Sequence, residues 1–234
     1  MIVHVVERVL QSRTVSRAIV ATDDERIFNV VVQAGFEAMM TSPEHRSGSD
    51  RLAEVARRLE KVELLINIQG DEPLISPETV DRVASALIKQ AGTEIVTASE
   101  PILDRSYVLN PDVVKVVTGN DSRALYFSRS PVPYPREAVR RHGSLELALE
   151  NEVELLRNFR KHTGIYGFGR RVLLDYNGWP QSDLERTESL EQLRALEHGI
   201  PITVVDAASV SMGVDTFEDL EKVREEYKQS ILAG

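Results

Sequence analysis

The sequence predicts an α/β protein with a mostly parallel, doubly wound, Rossmann-like sheet covered by helices on both faces. Two observations carry this reading. Helical apolar spacing recurs along the N-terminal half, and short apolar runs separate the recurrences in regular alternation. The opening segment places Ile2, Val5, Val6 and Val9 at i, i+3, i+4 and i+7, the signature of an amphipathic helix. A short strand is expected over 18–22. The helical template returns at Ile27, Val30, Val31 and Ala34 before Gly35, at Leu52, Val55, Ala56 and Leu59, and at Val80, Val83, Ala84 and Leu87 after a Ser76-Pro77 start. Apolar runs over 64–68 and 94–99 supply the intervening strands.

The rhythm changes after Pro101. Runs over 113–118 and 123–128 flank Gly119-Asn120-Asp121, which predicts a β-hairpin. A polar stretch with Leu145, Leu149, Val153 and Leu156 at helix-like spacing leads into a Gly-rich strand over 163–169. Ser182 and Glu185 form a capping-box pattern that opens a helix through Arg194 to His198, stopped by Gly199-Ile200-Pro201. A strand over 202–206 and a helix from about Thr216, with Asp219 three residues on, close the chain. The whole reads as a single domain, with 101–180 as a hairpin-containing module within it.

Composition narrows the function. With 234 residues, 42% hydrophobic and 28% charged, the chain is long enough for a sizeable core and far from the signature of disorder. A net charge of −9 repels a nucleic-acid backbone, and no basic stripe overrides it, so nucleic acid is not an expected partner. The absence of cysteine removes disulfides, thiolate nucleophiles and Cys-ligated metals, which leaves oxygen ligands. The first residues lack the pattern of a signal peptide, and no apolar run approaches the ~20 residues of a membrane span. A cytoplasmic location and no membrane partner are the resulting expectations.

Two carboxylates stand out. Gln69-Gly70-Asp71-Glu72-Pro73 follows the apolar run 64–68, so Asp71 falls just beyond the C-terminal end of a buried strand, where ligands of open α/β sheets bind. Asp215, in Gly213-Val214-Asp215-Thr216, sits between a strand and a helix. Aspartates so placed suit Mg²⁺, which takes one or two protein carboxylates and completes its shell with water and phosphates. Capping is the competing explanation at both places: Asp71 and Glu72 for the turn, Asp215 or Thr216 for the helix.

The blocks His45-Arg46-Ser47-Gly48-Ser49-Asp50-Arg51, 69–73, Leu125-Tyr126-Phe127-Ser128-Arg129, His162-Thr163-Gly164-Ile165-Tyr166-Gly167-Phe168, Leu190-Glu191-Gln192-Leu193-Arg194 and 213–216 occur in an order that resembles the CMP-Kdo synthetases, the 3-deoxy-manno-octulosonate cytidylyltransferases. The resemblance runs from Met1 to about Tyr227. It implies an enzyme that joins Kdo, an acidic sugar of lipopolysaccharide, to CMP from CTP with release of pyrophosphate, and that works as a homodimer through the 101–180 module. It further implies that Asp71 and Asp215 hold Mg²⁺, that Gln69, Gly70 and Arg51 face the nucleotide, and that His162, Tyr166, Glu191, Gln192 and Arg129 face the sugar. Ser49 and Asp50 stand where the family more often has Thr and Glu. Without the resemblance, His162 reads as a surface histidine, Tyr166 as a core aromatic, and Glu191 and Gln192 as solvated helix residues.

One departure is visible. Doubly wound folds open with a strand feeding a phosphate-binding turn, whereas this sequence opens with a helix. The family begins with such a strand and a P-A-R-x-x-S-x-R-L-P-G-K loop. Met1 aligns with an internal methionine beyond them. Weak CTP binding and an open strand edge are therefore expected of the chain as written. Two alternatives accompany the leading reading: activation of a different acidic sugar, and a non-catalytic dimeric scaffold that kept the fold.

Overall fold

The computed structural model describes residues 1–211, 213, 214 and 216–232. Its N-terminal half follows the apolar periodicity. Helix α1 (Ile2–Val9) buries Val5, Val6 and Val9, the stripe expected of it. Strand β1 (Ile19–Thr22) leads to helix α2 (Glu25–Gln33), whose first turn is capped by the Asp24 carboxylate accepting the Arg26 N–H. Strand β2 (Glu37–Met40) pairs in parallel with β1, from Ile19 opposite Glu37 to Thr22 opposite Met40. Its four residues, Glu-Ala-Met-Met, carry no alternation and were not expected as a strand. Helix α3 (Gly48–Arg58), strand β3 (Leu64–Asn67), helix α4 (Pro77–Lys89) and strand β4 (Ile95–Pro101) follow. Ser76 caps α4 and Pro77 occupies its first turn, where a missing N–H costs nothing.

The second half contains α5 (Arg105–Leu109), the hairpin β5 (Lys115–Thr118) and β6 (Ala124–Ser128), α6 (Arg136–His142) and α7 (Leu145–Asn151). A 3₁₀ turn over Val153–Asn158 precedes β7 (Arg160–Gly169). Then come α8 (Arg170–Gly178), α9 (Asp183–Glu188), α10 (Gln192–Glu197), β8 (Ile202–Asp206) and α11 (Phe217–Leu232). Thr216 and Asp219 cap α11 reciprocally, Thr216 N–H donating to the Asp219 carboxylate and Asp219 N–H to Thr216 Oγ1.

Strand β7 organises the main sheet. One of its edges carries β4 along nearly its whole length, and its other edge is shared by β3 and β5, which meet it at opposite ends. The order is β6-β5-β7-β4-β8, with β3 on β7. Strands β3, β4 and β5 all oppose β7, and β8 runs parallel to β4, so among the described residues four strands of this sheet share one direction. The hairpin therefore extends the sheet through β5. The central sheet of this mixed α/β fold is mostly parallel in strand direction, with β6 and β7 running against the other strands.

Alternate side chains send neighbouring residues to opposite faces, and each face is covered by helices. Leu65, Ile95 and Phe168 meet Ala53 and Ala56 of α3, Leu173 of α8 and Leu193 of α10. Val96, Ala98 and Ile165 meet Val5 and Val9 of α1 and Val80, Val83 and Leu87 of α4. Each fully buried aliphatic side chain contributes roughly 1.5–3 kcal/mol by leaving water. At the end of β7, a Cβ on Gly169 would overlap the carbonyl of Gly92, so only glycine permits this approach of strand to loop.

Two features bear on the site. The single helix expected from Ser182 to His198 is broken: the Ser182–Glu185 capping box forms, but Ser189 adopts φ 53° and ψ 47°, and α10 starts afresh. A left-handed residue ends the first helix and turns Glu191 and Gln192 out of its axis. In addition, the β1–β2 pair stays apart from the main sheet, and a cavity of about 700 Å³ lies between β1, β3, α1 and α4, lined by Val5, Val20, Ile66 and Leu87 among others. Among the described residues no helix is long and apolar enough to cross a membrane.

The loop between α1 and β1 is tied down by Asp81 of α4. Its carboxylate accepts from Ser12 Oγ (2.6 Å), Thr14 Oγ1 (2.6 Å) and the N–H groups of Arg13 and Thr14. These hydrogen bonds, those of the Ser12 and Thr14 hydroxyls first, hold its pKa at about 2, below the usual carboxylate value. A lowered pKa stabilises the fold above the unfolded value near 3.9, and the contribution is lost as pH falls towards 2. Asp81→Asn is expected to lower the melting temperature at pH 7 by roughly 2–4 °C. Calorimetry should also show a smaller further loss in the variant than in the parent between pH 4 and pH 2. Identical acid sensitivity would remove Asp81 as the source.

Candidate active site

Bulging of β7 builds the floor of the site. Tyr166 pairs with Thr97 and Thr163 with Ala98, so Gly164 and Ile165 are extra residues on β7 opposite a continuous β4. In a regular strand His162 and Tyr166 would stand about 13 Å apart. With two residues looped out, their ring centroids are 5.2 Å apart. The carbonyl freed at Ile165 is taken up by the Thr97 hydroxyl at 2.7 Å. Because that proton is spent, His162 Nε2, 2.9 Å from Thr97 Oγ1, is the donor of its pair, and Nδ1 is left as an acceptor.

Burial, reinforced by the Lys161 ammonium, pushes His162 down to about 3, so its imidazole is neutral at physiological pH. His162 sits edge-on against Phe127, with centroids 5.1 Å apart, behind the Tyr166 ring. Tyr166 is pushed well above its ordinary value, chiefly by burial, then by Tyr176 and Glu191.

In front of Tyr166 lies a pocket of about 160 Å³ that gathers Gly48, Ser49, Gln69, Tyr166, Glu191 and Gln192 from four separate elements. The start of α3 reaches it because Gly48 packs on the end of β3: a Cβ there would come within 3.1 Å of Asn67 Nδ2 and 3.2 Å of Gln69 Nε2. Glu191 enters beside this helix start. Burial raises its pKa above the ordinary carboxylate value, the hydroxyls of Ser47 and Ser49 oppose the rise, Asp50 adds to it, and Arg194 opposes it. Hydroxyl, amide and carboxyl groups converging in a half-buried pocket suit a ligand rich in hydroxyls.

Gln69 lines this pocket and also the 700 Å³ cavity, where Gly70 and Arg51 join it. Arg51 is already paired there, its guanidinium lying 2.8 Å from Asp23 Oδ1 and donating to Thr41 Oγ1 at 2.5 Å. Arg129 takes no part in either lining. Its guanidinium donates to the carbonyls of Glu188 (2.7 Å) and Pro111 (3.0 Å), while Glu188 Oε2 accepts the Arg129 N–H at 2.9 Å.

Asp71 is half-buried just past β3, and its carbonyl accepts the Val214 N–H at 2.9 Å. The chain over 213–214 is thereby brought alongside Asp71, although Asp215 itself lies outside the described residues. Among the described residues no group of three acidic or histidine side chains forms a cation cage. The Asp71 carboxylate is a hard oxygen donor, the chemical type that Mg²⁺ takes.

Sequence reasoning missed four contributors to the pocket, Asn67, Ile95, Tyr176 and Ser189. Tyr176 belongs to α8, which carries no clear apolar repeat. The arrangement as a whole, a doubly wound sheet with its site at strand ends and helix starts, is that of an α/β nucleotidyltransferase.

Comparison with known proteins agrees. Residues 1–204 match the family model described as "Cytidylyltransferase". The chain is 46% identical over 229 residues to the 3-deoxy-manno-octulosonate cytidylyltransferase of Trichlorobacter lovleyi, covering 98% of this chain and 88% of that protein. It is 43% identical over 227 residues to the enzyme of the same name from Neisseria meningitidis serogroup A, covering 96% and 86%. A solved CMP:2-keto-3-deoxy-manno-octonic acid synthetase, complexed with CTP, superposes with a TM-score of 0.85 at 39% identity, covering 98% of this chain and 88% of the other. The chain belongs to the cytidylyltransferase family, among the 3-deoxy-manno-octulosonate cytidylyltransferases.

A neutral His162 has a direct spectroscopic consequence. Its imidazole ¹³C and ¹⁵N resonances are expected to stay constant from pH 5 to pH 8, and to move in that range in Thr97→Val only if the Thr97 contact, not burial, holds the ring neutral. A midpoint between 6 and 7 in the unmodified chain would show that the ring is solvated and charged.

Proposed function

We propose that this chain transfers CMP from CTP to the anomeric hydroxyl of 3-deoxy-manno-octulosonate, with release of pyrophosphate, as a step towards lipopolysaccharide. The observation that carries the reading is the position of Gln69, shared by the wide cavity and the polar pocket. A nucleotide on one side and a polyhydroxylated sugar on the other would meet there, as an in-line displacement at phosphorus requires. The names of the relatives point to the same substrates.

Asp71 and Asp215 would hold Mg²⁺, which when bound supplies neutralisation of phosphate charge. The chain's own residues supply the rest. Gln69 and Gly70 line the nucleotide side. Ser49, Tyr166, Glu191 and Gln192 bind sugar hydroxyls in the polar pocket. His162, neutral, backs Tyr166 and keeps its ring in place. Arg129 holds the Glu188–Ser189 turn from which Glu191 follows. No covalent intermediate on the protein is required, because the sugar hydroxyl is itself the nucleophile.

The test follows pyrophosphate release with CTP, Kdo and Mg²⁺. Gln192→Ala is expected to raise the KM for Kdo about tenfold and that for CTP less than twofold. Asp71→Asn should lower kcat about 10²-fold. Equal losses for both substrates in Gln192→Ala would contradict a sugar-side pocket, and turnover undiminished in Asp71→Asn or by a chelator would contradict the metal assignment.

A homodimer and a cytoplasmic location go with this reading. Leu103, Leu125, Tyr134 and Val153 are 76%, 64%, 60% and 63% exposed, all within 101–180, and their apolar side chains would leave water in an interface between two copies. Sedimentation equilibrium is expected to give twice the chain mass, and Leu103→Glu with Leu125→Glu the single mass. A parent chain that sediments as a monomer at micromolar concentration would exclude the dimer.

A further inference from the structure

Arg194 belongs to the Leu190–Arg194 block that marks the sequence, yet it does not line the pocket. It is buried, with 7% of its side chain exposed, opposite Glu185 at 3%. Its Nε lies 3.1 Å from Glu185 Oε2, one terminal nitrogen donates to the Trp179 carbonyl at 2.9 Å, and the other donates to the Tyr176 hydroxyl at 3.2 Å. The guanidinium carbon also stands 4.3 Å from the centre of the Tyr176 ring. A buried ion pair is weak support for stability, since apolar side chains of the same volume fill such a space without losing hydration. What the pair does that an apolar filling cannot is direct a donor at the Tyr176 oxygen.

That direction has a consequence in the wall of the pocket, which Tyr176 and Glu191 both line. Tyr176 has one proton, and with its oxygen accepting from Arg194 the proton is aimed at the Glu191 carbonyl, 2.9 Å away. Glu191 is the residue at which the chain leaves the left-handed turn at Ser189 and enters α10, a helix of six residues. Short helices hold their ends poorly by their own hydrogen bonds. The same carbonyl accepts the Arg194 N–H at 3.1 Å, so Arg194 constrains it from the backbone directly and from the side chain through Tyr176.

We propose that Arg194 and Tyr176 are positioning residues for the sugar half of the site, fixing the Glu191 carbonyl so that the Glu191 and Gln192 side chains are presented to the pocket at one angle. The assignment rests on the reading that these two side chains meet the sugar. Tyr176→Phe removes only the hydroxyl and keeps the ring on Arg194. Arg194→Lys keeps the charge and loses the fork that reaches Glu185, Trp179 and Tyr176 together.

Two measurements on the full chain separate the claims. Hydrogen exchange over residues 189–195 is expected to quicken about fivefold in Tyr176→Phe, the effect of one lost hydrogen bond. Unchanged protection there overturns the proposal. Steady-state kinetics should show the KM for Kdo raised about fivefold in Tyr176→Phe, with the KM for CTP within twofold. Tyr176→Phe combined with Gln192→Ala should then cost less than the product of the two single effects. Equal rises for both substrates, or fully multiplicative effects, mean a merely structural role and overturn it. If the unmodified chain itself releases no pyrophosphate, the proposed function falls, while the exchange measurement still decides whether the hydroxyl fixes Glu191. Arg194→Lys is expected to repeat the exchange result more strongly. Tyr176→Phe, which leaves the buried ion pair intact, decides the matter if the lysine variant does not fold.

Discussion

The hydroxyl of Thr97 is the interaction on which the rest of the site depends. Strand β7 carries three neighbours, β3, β4 and β5, and it can do so only if it remains in register at both ends while shedding two residues in the middle. A bulge frees a carbonyl and an N–H in a place where water is scarce, and an unpaired buried polar group costs about 1–3 kcal/mol. The Thr97 Oγ1 bond to Ile165 O offsets that cost, and the same oxygen anchors His162. One side chain therefore links sheet register and the approach of His162 to Tyr166, while burial and the Lys161 ammonium keep the imidazole neutral. Valine would preserve the shape of Thr97 and lose both hydrogen bonds.

Much of the architecture was legible because its causes are local. The stripe Ile2, Val5, Val6, Val9, the Ser76-Pro77 start and the Thr216–Asp219 pair are fixed by residues within two turns of each other, and α1, α4 and α11 follow them. What could not be read depends on distant partners. Strand β2 exists because Glu37–Met40 finds β1, and α8 exists because Leu173 and Tyr176 find the face of the main sheet. The break at Ser189 was not read because the expected helix rested on the Ser182–Glu185 capping box, which marks where a helix starts and not where it ends. Its cause lies in Arg194 and Glu185, whose pairing needs α9 and α10 at an angle that one straight helix does not give. The candidate site was legible only as a set of residue types. That Gln69, Tyr166 and Gln192 share a pocket, whereas Arg129 faces carbonyls elsewhere, follows from packing across elements.

The cations around the site share one use. Arg51 is committed to Asp23 and Thr41, Arg129 to the carbonyls of Pro111 and Glu188, and Arg194 to Glu185, Trp179 and Tyr176. Lys115 is the extreme case. It is fully buried, and its ammonium donates to the carbonyls of Asn110 (3.0 Å), Val113 (2.6 Å) and Arg129 (2.6 Å). Burial, with some help from Arg129 and against Glu188, pulls its ammonium down to about 8. Three donors meet three acceptors, so the charge is satisfied by dipoles without a carboxylate in contact.

This pattern explains how irregular chain can form a defined pocket. Loops bury carbonyls that no sheet or helix partner claims, and each must be met by a donor. An arginine or lysine meets two or three at once and, in doing so, fixes the relative position of segments far apart in sequence. Lys115 ties the end of β6 to the 110–113 loop, Arg129 ties that same end to the Glu188–Ser189 turn, and Arg194 ties the next turn of chain to α8. Glu191 and Gln192 hang at the end of this series. Their geometry is set by donors spent on backbone, which leaves the polar atoms facing the pocket, the amides of Gln69 and Gln192 and the carboxylate of Glu191, to meet a ligand.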